Sequence, residues 1–278
     1  NIMEIYSIPI VMLSGLTYKG AEATMIALEL GAVDFIQKPS NIFMANTNDF
    51  KKEIVQKVKE AYYAKVFYNK SVSEKYEAKK NYLESKENRR DVRKRSDRSL
   101  STKYIVAIGT STGGPRALQH IIPLIPEDFP GSFLIVQHMP SGFTKSLAER
   151  LNAISRITVK EAEDSETIRP GYAYIAPGNY HLEINDSDKN NLTIQLSQKQ
   201  LISGHRPSAD VLFRSLSNLQ NKDINIIGVI MTGMGSDGTN GLKELKQKTF
   251  AHIIAQDEES CVVYGMPKSA VKAGIVDE

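Results

Sequence analysis

The sequence predicts an α/β fold: a doubly wound, mostly parallel sheet with helices on both faces. Three observations carry that expectation. From Lys103 onward, short apolar runs alternate with stretches of helical composition, the pattern of parallel strands joined by crossover helices. At Lys103–Arg116 (KYIVAIGTSTGGPR) an apolar run passes through a glycine-rich turn straight into a helix start. Residues 1–68 show the same alternation on a smaller scale.

The elements follow in order. Ile8–Leu13 (IPIVML) reads as a buried strand ending at Ser14, and Ala21–Leu30 as a helix stopped by Gly31. Val33–Gln37 is a second strand, closed by Lys38-Pro39. Asp49 is placed as the cap of a helix whose Ile54, Val55, Val58, Ala61 and Tyr62 make one apolar stripe. Residues 69–102 are dense in charged and polar types and read as a solvated linker. Its basic cluster, Arg89-Arg90 and Arg93–Arg95, has no interleaved aromatics, so no nucleic-acid partner is expected.

Tyr104–Ile108 is the next strand, and Pro115 opens the helix Arg116–Ile122. Proline suits the first turn of a helix because its missing N–H would be unpaired there. Ser132–Gln137 is a strand followed by His138-Met139-Pro140, then a helix near Thr144–Leu151. Tyr172–Ala176 continues the sheet, and His181–Gln195 reads as a hairpin insertion turning around Asp186–Asn191. Ser208 is expected to cap a helix carrying Val211, Leu212 and Leu216. Ile226–Met231 is a strand running through Gly233–Gly238 into a helix at Thr239. Ile253-Ile254 belong to a last strand, and Pro267 starts a last helix.

The 278 residues suit about two domains, and 41% hydrophobic content is enough for a core. No run nears the ~18 apolar residues of a membrane span, and no signal-peptide layout begins the chain. The one cysteine, Cys261, lies in SCVVYG as a small buried hydrophobe. A cytoplasmic protein with no membrane insertion is the expectation. No His/Cys/Asp group has metal-ligand spacing, so neither metal nor cofactor is expected.

Sites in open parallel sheets form at the carboxyl ends of strands. Three reactive types stand there: Ser111 and His138 directly after their strands, and Asp237 in the turn after another. Serine, histidine and aspartate together serve acyl transfer, the imidazole taking the serine proton and the carboxylate orienting the imidazole. The glycine-rich turn Thr232–Gly238 can offer backbone N–H groups to an oxyanion. Ser111, Asp237 and His252 would satisfy the other common order of these residues. His252 precedes its strand, though, and belongs at the opposite edge of the sheet. His120 is placed on a helix surface and His181 in the insertion, while His205 in GHRPSAD is a possible cleft residue.

GTSTGG, QHMP, EAEDSE, YIAPG, HRPSAD, TGMGSDG and SCVVYGMP, in this order, resemble the catalytic domain of bacterial chemotaxis protein-glutamate methylesterases. The likeness covers nearly all of Lys103–Glu278. It implies that Ser111 is the nucleophile, His138 the base, Asp237 the orienting acid, and the Met234 N–H part of the oxyanion hole. The implied reaction is hydrolysis of glutamate γ-methyl esters on the cytoplasmic helices of chemoreceptors, with deamidation of receptor glutamines by the same route. A small-molecule serine esterase and a non-catalytic module binding receptor or kinase are the alternatives. Residues 1–68, with Ser14 and Lys38 after two strands, resemble the second half of a flavodoxin-like response-regulator receiver. In that family the hydroxyl residue and the lysine contact a phosphoryl group, and a chemotaxis histidine kinase is the partner of the full-length protein. The acceptor aspartate and its acidic Mg²⁺ ligands would precede residue 1, and the chain stops soon after Gly274. Two parallel strands are a poor sheet by themselves. The fragment is therefore expected neither to fold fully nor to hold a cleft shut, leaving the chain constitutively active.

Overall fold

The structure, a computed structural model, describes residues 6, 8–15, 17–39, 47–64, 102–188, 191–221 and 223–278. The N-terminal part runs β1 (Val11–Ser14), α1 (Tyr18–Glu29), β2 (Asp34–Gln37) and α2 (Asn48–Tyr63). The rest begins with β3 (Tyr104–Thr110), α3 (Gly114–Ile121), β4 (Gly131–Gln137) and α4 (Phe143–Ile154). Then come β5 (Thr158–Glu161), β6 (Tyr172–Ile175) and the hairpin β7 (His181–Asp188) and β8 (Asn191–Ser197). The chain closes with α5 (Ala209–Ser217), β9 (Asn225–Ile230), α6 (Thr239–Lys248), β10 (His252–Ala255) and α7 (Met266–Lys272).

The main sheet has six strands in the order β10-β9-β3-β4-β6-β5, all parallel. Successive side chains on a strand face opposite sides. In β3, Ile105 and Ala107 enter one core with Leu212 and Phe213 of α5, Leu242 of α6 and Met266 of α7. Val106 and Ile108 enter the other, with Leu118 of α3 and Phe143, Leu147 and Leu151 of α4. Burial on both faces is why these strands are continuous apolar runs rather than alternating ones. The chain enters at β3, builds outward through β4, and later returns to lay β9 on β3's other flank. That reversal opens a crevice at the carboxyl ends of β3 and β9. The hairpin β7–β8 is antiparallel and separate, as the insertion reading expects. Strand β5 was not foreseen. Its TVKE sequence buries only Val159, as suits the sheet's edge, so no apolar run marks it.

The N-terminal part departs from expectation in two ways. The entry to α2 is capped by Thr47, not Asp49: the Thr47 hydroxyl accepts the Phe50 N–H at 3.3 Å from an extended backbone. The described residues of this part also pack against the rest of the chain. β1 and β2 pair in parallel, Ser14 opposite Gln37, and they do not stand alone. Ala21, Met25, Leu28 and Phe35 are buried in the same core as α3 and α4, with the Phe35 ring 4.5 Å from that of Phe143. Arg150 on α4 clasps Glu29 on α1 through two hydrogen bonds of 2.7 Å. Apolar burial against the larger part supplies the second layer that a two-stranded sheet lacks. The expected linker and its basic cluster, save Thr102, lie outside the described residues.

Candidate active site

Register sets the first two members side by side. Thr110 pairs with Gln137 at the ends of β3 and β4, so Ser111 and His138 are the next residue on each strand. The His138 N–H donates to the Thr110 carbonyl at 3.1 Å. On β3's other flank the Ser111 N–H donates to the Thr232 carbonyl at 3.0 Å. Gln137 Nε2 donates to the carbonyls of Ser111 (2.9 Å) and His138 (3.1 Å), tying the two turns together. Gly113 makes the strand-to-helix turn possible. Its φ of 81° is left-handed, and a Cβ there would collide with Val262.

His138 Nε2 lies 2.7 Å from Asp237 Oδ2. Asp237 also accepts from the Ser208 hydroxyl (2.7 Å), the Ala209 N–H (2.7 Å) and the Asp210 N–H (3.2 Å). Burial alone would raise its pKa, but the hydrogen bonds from His138, Ser208 and Ala209 hold it at about 2. An ionised carboxylate only accepts, so Nε2 carries the ring hydrogen and Nδ1 keeps its lone pair. Nδ1 is buried and has no hydrogen-bond partner among the described residues. Such a nitrogen, on the residue just past the strand next to that of Ser111, is suited to take a hydroxyl proton. Ser208 does stand at the N-cap position of α5, but it does not cap the helix itself. Its hydroxyl is spent on Asp237, whose carboxylate receives the helix N–H groups instead.

The turn after β9 passes over the serine: a Cβ on Gly233 would lie 2.8 Å from Ser111 Cβ. The Gly233 carbonyl accepts from the N–H groups of Gly265 (3.1 Å) and Met266 (2.8 Å). In a trans peptide the N–H points opposite to the carbonyl, so the Met234 N–H faces away from Gly265 and Met266. The N-terminal fragment reaches this same rim. Gln56 Nε2 lies 3.6 Å from Met234 Sδ. The hydroxyl of Thr112, next to Ser111, sits 2.7 Å from both Asp34 Oδ2 and Glu60 Oε2. Lys57 bridges those carboxylates at 2.6 and 3.5 Å. Burial lowers the Lys57 pKa, but the charges of Asp34 and Glu60 outweigh it and the net shift is upward.

The remaining residues singled out in the sequence stand apart or take supporting places. His252 begins β10 at the far end of the strand, half exposed, 3.6 Å from Glu278, so it cannot join Asp237. His120 bonds its own helix through the Arg116 carbonyl at 2.7 Å. His181 is buried with Nε2 on the Gln200 carbonyl at 3.0 Å. His205 stacks on His138, ring centroids 3.9 Å apart. Ser14 ends β1 and Lys38 directly follows β2, its N–H donating to the Ser14 carbonyl at 2.6 Å, but the Ser14 hydroxyl donates to the Gly20 carbonyl at 3.0 Å and the Lys38 side chain is exposed. Sequence reasoning missed the stacking of His205, the seat built by Ser208 and the clasp at Thr112. All three join segments far apart in the chain, so no local pattern announces them. Cys261 is buried as expected. Among the described residues no three His, Cys, Asp or Glu side chains group as a metal requires, and no helix is long and apolar enough to cross a membrane.

Residues 106–278 match the family described as CheB methylesterase. A protein-glutamate methylesterase/protein-glutamine glutaminase of Halalkalibacterium halodurans is 46% identical over 278 residues, covering 100% of this chain and 75% of that protein. One from Bacillus subtilis is 44% identical over 280 residues, covering 100% and 76%. The crystal structure of the Thermotoga maritima CheB methylesterase catalytic domain superposes with a TM-score of 0.60 at 46% identity. It covers 64% of this chain and 91% of that one.

Proposed function

The chain belongs to the CheB methylesterase family, and on that premise we propose that Ser111, His138 and Asp237 carry its reaction. The protein is a protein-glutamate methylesterase and protein-glutamine glutaminase acting on chemoreceptors. The observation that supports the triad is the bond from His138 Nε2 to an ionised Asp237, which leaves Nδ1 unprotonated just past the strand next to that of Ser111. Ser111 Oγ attacks the ester carbonyl as His138 Nδ1 takes its proton, and the Met234 N–H steadies the oxyanion. Collapse expels methoxide, which leaves as methanol with the proton from His138, and a γ-glutamyl ester of Ser111 remains. Water, giving one proton to His138, then attacks that ester; His138 returns the proton to the departing Ser111 oxygen, and the glutamic acid released loses its own proton to solvent. With glutamine as substrate the first leaving group is ammonia.

Residues 1–68 are the C-terminal part of a receiver domain in this reading, 69–102 the linker and 103–278 the esterase. The parallel β1–β2 pair with Ser14 and Lys38 at its ends supports the first of these. A histidine kinase is the partner of the full-length protein, and the cytoplasm, where the receptor helices lie, is the place of action. Methanol release from methylated receptor tests the whole reading. The chain should release methanol and should be labelled by a fluorophosphonate at Ser111. Receptor binding with neither signal would make it a binding module, and turnover of small esters alone a small-molecule esterase.

A further inference from the structure

We propose that His205 is a positioning residue for this reaction, its ring lying flat on His138 and holding that base in the plane that serves Ser111. The two rings are 3.9 Å apart at 9°, a parallel stack. The backbone imposes it. Ser203 and Gly204 are both left-handed, at φ 52° and 83°, and Ile202 and His205 exchange hydrogen bonds of 3.1 and 2.9 Å, a tight two-residue turn. Just beyond, the Arg206 guanidinium grips Asn179 Oδ1 and the carbonyls of Gln198 and Lys199. Ser208 and Ala209 then seat Asp237. One short segment thus fixes the acid and lays a ring over the base.

The His138 ring needs such a restraint. Among the described residues its side chain is anchored by hydrogen bonding only at Nε2, so packing alone stops it from swinging about that contact. A neutral imidazole suits the task, because its face can lie beside the imidazolium formed when His138 takes the serine proton. Burial, helped by a proton on His138 once bound there and by the positive charge of Lys57, and opposed by Asp237, pushes the His205 pKa down to about 4. The stacked ring therefore stays uncharged at neutral pH.

The inference rests on the triad reading, and the two fail separately. His138→Ala with full turnover would sink the triad, whereas the His205 variants below bear only on the stacking. His205→Phe and His205→Leu both fill the space, but only phenylalanine offers a flat face. Methanol release should stay within about threefold of the unaltered kcat for H205F and fall at least about tenfold for H205L, with KM nearly constant in both. Leucine working as well as histidine, phenylalanine failing as badly as leucine, or a loss confined to KM would each overturn the proposal. The unaltered protein gives a measurement that depends on no variant folding. In histidine-labelled protein the His138 ring-proton resonances should be displaced upfield by the stacked face, and ordinary positions would overturn it.

Discussion

At Asp237 a buried carboxylate stays charged because four donors meet it, from His138, Ser208, Ala209 and Asp210. Acid should undo this in a definite order. His205 binds a proton near 6.5 when unfolded but only at about 4 when folded, so stability present above pH 6.5 is lost as pH falls through about 4. Asp237 binds at 3.8 unfolded and about 2 folded, so its contribution is full above pH 3.8 and lost as pH falls through about 2. Urea unfolding at a series of pH values should show both losses, and H205F should remove the first. The chemistry divides as clearly between histidines. Ser111→Ala and His138→Ala should each lower kcat by about 10⁴–10⁶, while His252→Ala, at the far end of its strand, should change it by less than about twofold. The reverse pattern in measured kcat would move the base to His252.

The turn between β3 and α3 is the element on which placement depends most. A Cβ on Gly114 would run into the Gln137 side-chain oxygen and the Thr110 side chain, and Gln137 is what ties the Ser111 and His138 carbonyls together. Gly114→Ala should cost about 1–3 kcal/mol of stability through overpacking and should lower kcat as well, both read on one preparation by denaturation and methanol release. Unchanged values would mean that Gln137 moves aside freely. The sequence made this element legible, because an apolar run, a glycine-rich turn and proline each leave a mark where they stand. Ser111, His138 and Asp237 were legible for the same reason, each lying just beyond a recognisable strand. Strand β5 left no mark, since an edge strand needs only Val159 inside. The cap of α2 was misplaced by two residues because Thr47 and Asp49 are both capable caps, and only the backbone decides between them. His205 over His138 and Thr112 between Asp34 and Glu60 are meetings of distant segments, and neither partner is unusual in its own neighbourhood.

Across the whole molecule, the N-terminal fragment is held at three places, by the core under α1, by Arg150 with Glu29, and by Thr112 with Asp34 and Glu60. Two of its side chains, Gln56 and Glu60, stand at Met234 and Thr112 on the rim of the site. The sequence led us to expect rates indifferent to this part of the chain; its contacts at the rim favour the opposite prediction. Residues 103–278 alone should turn over methylated receptor several-fold faster than the whole chain. Rates agreeing within about twofold, ~0.4 kcal/mol, would show that the contact leaves the cleft open. The return of β9 to the flank of β3 has a consequence of another kind. The Thr110 hydroxyl meets the Thr232 carbonyl across 122 positions of chain, and the turn that carries Asp237 comes only after that closure. Such distant pairings are slow to form. A ribosome making this protein therefore displays Ser111 and His138 long before Asp237 exists. On refolding from denaturant, esterase activity should return with the slowest phase, after helical circular dichroism has recovered.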